Sequence, residues 1–203
     1  MRFRTAIVLG FLLAVTIATA APQGAAAAAS RQQADSLARK ITQITQRGSQ
    51  APGSVVRRTE VSEDEVNSWF EFRGRPYLPS GVTSPTVAML GDGSMRGVAT
   101  VDLEALGKRR SRGGALDLWS YLGGKLPLSV TGILHTKDGK GRFELQAAEL
   151  SDVPVPTGLV QELVSYYSRT PEQPQGVRID DPFELPAKIK QIEVGSAQAV
   201  VVQ

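Results

Sequence analysis

The residues of this chain whose types could do chemistry are one histidine, two acidic runs, a glycine-flanked turn and one dense basic cluster. His135 is the single histidine, so a serine–histidine–aspartate triad would have to be built on it. It falls where a strand nears a hairpin turn, and Gly-x-Ser-x-Gly does not occur. It therefore reads as a surface or rim histidine. There is no cysteine, so zinc or copper would lack soft ligands, and no metal or cofactor is expected. Glu63-Asp64-Glu65 and Asp180-Asp181 could hold calcium or work as an acid–base pair. The first run opens a helix, where negative charge meets the positive end of the macrodipole. The second precedes Pro182 and reads as turn chemistry. Gly91-Asp92-Gly93 with Gly97 lacks the following helix that a phosphate loop needs, and is read as a hairpin turn. No catalytic residue is assigned, and the chain is not expected to be an enzyme.

The basic cluster is Lys108, Arg109, Arg110 and Arg112, followed at once by Leu116, Leu118, Trp119, Tyr121 and Leu122. Cations beside an aromatic-apolar patch suit a lipid surface, where headgroup meets acyl chain. The cations would meet a phosphate headgroup, each adding about 1 kcal/mol near an anionic bilayer. The patch, together with Trp69, Phe70, Met89 and Tyr167, would line or gate an apolar site. The other reading of these stretches is a solvated loop followed by core packing.

Positioning these residues outside the cytoplasm falls to the first twenty. Arg2 and Arg4 precede an apolar run from Ala6 to Ala18, and Ala18-Thr19-Ala20 gives a small-x-small site. That order predicts a secretory signal peptide over residues 1–20, with an uncleaved anchor as the alternative. The run is short of the ~20 residues that a membrane span needs. Residues 21–29 form a low-complexity leader. Residues 30–203 suit a single domain, long enough for a core without staples. The formal charge of +3 on 203 residues falls to about +1 once Arg2 and Arg4 are gone. An exported, near-neutral chain does not fit a nucleic-acid binder, and periplasm or medium is the expected location.

The pattern from residue 30 onward is α+β. Ser30 opens a helix to about Gln46, with Ala34, Leu37, Ile41 and Ile44 on one stripe. Residues 54–61 read as a strand. Ser62 and Glu65 then form a capping box, flanked by Val61 and Val66 as a hydrophobic staple. This second helix carries Val66, Trp69 and Phe70 and stops at Gly74 and Pro76. Hairpins are expected over 86–103, 126–150 and 188–202. On them Met95, Ala99, Val101 and Leu103 share a face, as do Leu128, Val130 and Leu134, and on the return Phe143, Leu145 and Ala147. Val153-Pro154-Val155-Pro156 is extended, and Thr157 caps a helix to Ser168.

The order of these landmarks resembles the LmeA-like and YpmS-like exported lipid-binding proteins, relatives of the tubular lipid-binding architecture. The residues that carry the resemblance are Ser62-Glu63-Asp64-Glu65-Val66-Asn67, the Val153-Pro154-Val155-Pro156 junction and Asp181-Pro182-Phe183-Glu184-Leu185-Pro186. It implies a curved antiparallel sheet of hairpins packed around one long helix, enclosing an apolar groove. The function so implied is non-catalytic retention of acyl chains, with a lipid or membrane surface as partner. The rival expectation is a structural or protein-docking module of the cell envelope with a solid core.

Overall fold

A computed structural model describes residues 29–51, 55–78, 81–102, 124–167 and 174–203. The signal peptide, nearly all of the leader, the basic cluster at 108–112 and the patch at 116–122 lie outside the described residues, as does the side chain of Tyr167.

Ser30 starts α1 (Arg31–Ser49) by accepting from the Gln33 N–H at 3.1 Å. Ala34, Leu37 and Ile44 bury the expected stripe, while Ile41 on it stays 42% exposed. After β1 (Arg58–Ser62), Ser62 and Glu65 form the reciprocal capping box of α2 (Glu63–Trp69). The chain widens into a π turn over Phe70–Gly74 and tightens into a 3-10 turn over Arg75–Tyr77. Then come β2 (Val82–Gly91), β3 (Ser94–Asp102), β4 (Lys125–Lys137), β5 (Lys140–Leu150) and the short β6 (Val153–Pro154). The helix α3 (Thr157–Tyr167) includes Thr157 as its first residue. The short β7 (Phe183–Glu184), β8 (Gln191–Val194) and β9 (Gln198–Val202) follow. No described helix is long and apolar enough to cross a membrane.

The strands form two open antiparallel sheets, and the fold is α+β. The small sheet has the order β1-β9-β8; the large one is six-stranded, β2-β3-β4-β5-β6 with β7 also on β5. Both long hairpins turn through Asp-Gly pairs with positive φ, Asp92 and Gly93 in one and Asp138 and Gly139 in the other. This is the two-residue turn whose twist matches the strands.

The long helix packs on the small sheet. Leu37 and Ile44 meet Val61, Val201, Leu185 and Ile189, with Val66 and Trp69 against them. A second cluster joins α3 to the large sheet through Leu159, Val155, Val101 and Leu150. A third, around Met89, Val194 and Ala199, joins the two sheets.

One alternation differs from expectation. Thr131 faces Ala147, yet its neighbour Gly132 faces Leu145, so Gln146 is an extra residue in β5. The bulge shifts the period by one. Ala147 is turned outward, and Ala148, 6% exposed, takes the inner position.

Candidate functional site

Register defines the inner face of the large sheet. Across it run Val82–Val101–Leu126, Ala99–Leu128–Leu150, Val87–Gly97–Val130–Ala148 and Met89–Met95–Gly132–Leu145. Leu134 opposite Phe143 completes the face. The opposite face holds Arg96, Ser129, His135, Arg142, Glu144 and Glu149 in solvent. There Arg96 donates to Ser129 at 2.9 Å and lies 3.3 Å from Glu149. This is the division of an antiparallel sheet with one wet and one dry side.

The dry side is covered at two ends. Leu159 and Val155 close the end at Val82, Val101 and Leu126. Ile192, Val194, Ala199 and Val66 close the end at Val87, Met89 and Leu134. Beside these covered residues, Met95, Ala99, Val130, Phe143 and Leu145 belong to neither cluster and are half-buried. Gly132 sits under the Phe143 ring, since a Cβ there would lie 2.5 Å from Phe143 Cζ. The result is an apolar strip, flat at Gly97 and Gly132 and walled by Met95, Phe143 and Leu145. An open cleft of about 700 Å³ lies where the β4–β5 hairpin meets β8, lined by charged residues such as His135, Lys140 and Arg142 and by apolar ones such as Ile133, Leu134 and Ile192.

Of the candidate lining residues, the described Trp69 and Met89 pack into two different apolar clusters. Met89 is in the junction of the two sheets, 7% exposed. Trp69 packs into the α1 cluster, edge-on to Phe70 at 5.5 Å between ring centroids. His135 meets Glu144 at 2.9 Å on the wet face rather than a nucleophile. Asp181 lies 3.7 Å from Arg178 within a turn. Among the described residues no group of histidine and carboxylate side chains could hold a metal ion.

The acidic run at the start of α2 has more specific work than its dipole reading assigns. Glu63 accepts from the Met89 N–H at 2.7 Å. Asn67 accepts from the Val87 N–H at 2.7 Å and donates to the Val87 carbonyl at 2.9 Å. The helix thus stands in for a strand along the free edge of β2. Glu65 turns the other way. Its carboxylate accepts from Ser36 Oγ at 2.6 Å, Lys40 Nζ at 2.7 Å and the Ser62 N–H at 3.0 Å. Burial pushes this carboxyl up, but the Lys40 and Ser36 hydrogen bonds, the Ser62 N–H and the Lys40 charge outweigh it and hold it below the ordinary value. The signal that could have revealed the edge contact is spacing. Residues four apart on a helix share a face, about 6 Å apart, close to the ~6.6 Å between alternate residues of a strand.

Comparison with family models, with curated proteins and with solved structures finds no match to this chain.

Proposed function

We propose that this is an exported lipid-binding protein of the LmeA-like and YpmS-like kind, holding acyl chains against the dry face of the large sheet without catalysis. The observation that carries the reading is the half-buried strip of Met95, Ala99, Val130, Phe143 and Leu145, which neither of the packed clusters on this face includes. Apolar side chains in register across three strands give an acyl chain a continuous contact with no polar group to desolvate. Each methylene buried contributes about 0.8 kcal/mol, so a dozen outweigh the ordering cost of binding. From the sequence, Lys108, Arg109, Arg110 and Arg112 supply cations for an anionic headgroup, and Leu116 to Leu122 a further apolar surface.

Native mass spectrometry of the protein from an exporting culture, with organic extraction of the same sample, tests this. A discrete extra mass that releases an acyl lipid is expected. Val130→Glu, which puts a charge in the middle of the strip, should lose that mass while far-UV circular dichroism stays unchanged. A lipid-free mass that persists after incubation with vesicles would overturn the reading and leave the protein-docking module.

A further inference from the structure

The turn after α2 carries a surface that acyl-chain retention does not use. Trp69 points into the α1 cluster, but Phe72 and Tyr77 beyond it are turned outward. Tyr77 is 76% exposed, more than any other large hydrophobic side chain among the described residues, and Phe72 is 38% exposed. Neither ring is loose. Tyr77 stacks on Trp69 with centroids 5.4 Å apart, and the Arg31 guanidinium sits 4.9 Å from the Phe72 centroid. The stack prepays the ordering of both rings, so they stand as fixed projections.

Charge surrounds them. Arg31, Arg39, Arg73 and Arg75 are exposed on this side of α1 and the turn, against Asp35 and Glu71. Arg73 pairs with Asp35, and Arg39 lines the same shallow cleft beside them. A tyrosine, with one apolar and one polar end, beside an exposed phenylalanine and arginines suits the boundary where headgroups meet acyl chains. The turn also packs beside β2, the edge strand of the sheet that bears the apolar strip.

We propose that the Phe72–Tyr77 turn docks the protein on an anionic bilayer surface. Tyr77 and Phe72 enter the headgroup–acyl boundary, and the exposed Arg39 and Arg75 face lipid phosphates, with Arg31 held over Phe72 and Arg73 paired with Asp35. The β2 edge of the large sheet is thereby brought to the membrane. This docking does not rest on the acyl-chain reading, because a chain that carries no lipid would still dock.

The full chain has two tryptophans, so Trp119→Phe leaves Trp69, under Tyr77, as the only indole. Its fluorescence is read with equimolar phosphatidylglycerol–phosphatidylcholine vesicles whose phosphatidylcholine is brominated on the acyl chains, against brominated phosphatidylcholine alone. Quenching by the anionic vesicles and little by the zwitterionic ones is expected. Arg75→Gln should weaken partitioning about fivefold, and Phe72→Ser with Tyr77→Ser should abolish the quenching. A urea midpoint equal to the parent's shows that each variant is folded, and Arg75→Gln alters only an exposed side chain. An unquenched Trp69 overturns the proposal, as does quenching indifferent to both the arginine and the ring variants. Lipid in the native mass spectrum with no quenching would sink docking alone. Quenching without retained lipid would sink the acyl-chain reading alone.

Discussion

Glu65 is a helix cap that has been made into a tertiary contact. The reciprocal bonds with Ser62 are local and follow from a serine and a glutamate three residues apart, which is why they can be read from the chain. The Lys40 and Ser36 contacts come from α1, more than twenty positions earlier, and no local pattern announces them. Together they leave a carboxylate 6% exposed, with three different donors on it. Removing the charge strands a half-buried ammonium and costs the donors their acceptor, so Glu65→Gln should lose about 2 kcal/mol at neutral pH. The sign of the pH dependence follows from the direction of the shift. Because the folded carboxyl titrates below its ordinary value of 4.5, its contribution is complete above that value. It is lost as pH falls through the lower, folded value. Urea midpoints of the two proteins should therefore converge on acidification below 4.5. A gap that stays constant with pH would show that the cap and not the charge carries the energy.

At the scale of elements, α2 and β2 make an uncommon pair, a helix that supplies side chains where a neighbouring strand would supply backbone. Asn67 satisfies both Val87 backbone groups, and Glu63 the next outward N–H at Met89. This caps a sheet edge that would otherwise present free donors for pairing with another chain. Asn67→Ala should cost about 1–3 kcal/mol, the penalty for leaving half-buried backbone groups unpaired. Hydrogen exchange should show the Val87 amide speeding up by roughly ten- to a hundredfold from the same energy, with β4 amides unchanged. Equal acceleration across the whole sheet would mean that Asn67 holds the fold and not the edge. The elements themselves were legible, because each is punctuated locally. Ser30 and Ser62 start helices, and the Asp92-Gly93 and Asp138-Gly139 turns set hairpin register. The half-buried strip was legible as far as the bulge, since alternation places Met95, Ala99, Leu128 and Val130 on one side. Gln146 carries no mark of its own, being neither glycine nor proline, so the switch from Leu145 to Ala148 as inner residues was hidden.

The whole molecule is held together by contacts that are distant in sequence. β9, the last strand, is the centre of the small sheet, and it pairs β1 from Arg58↔Val202 to Ser62↔Gln198. The Gln203 side chain donates to the Ile44 and Ala187 carbonyls, tying the same end of the chain to α1. Such pairings have no local signature, which is why the sequence shows three hairpins and a long helix but not which sheet that helix covers. The long helix covers the small sheet, leaving the large one to be closed at one end by α3 and at the other by the small sheet itself. The second closure depends on a few residues. Met89 meets Val194 and Ala199, and the Thr136 hydroxyl exchanges hydrogen bonds with the Ile192 backbone at 2.7 and 2.8 Å. A junction this narrow could either couple the sheets into one folding unit or merely join two. The Ala197 N–H also donates to the Met89 carbonyl, and the Gly93 N–H to that of Val194, so backbone and apolar contacts cross at the same place. Cooperation between them favours a single unit. Met89→Ala should then cost about 2–4 kcal/mol as a core truncation, lowering one calorimetric transition without broadening it, with calorimetric and van't Hoff enthalpies still equal. If the transition instead splits, the small sheet with α1 and the large sheet with α3 fold separately.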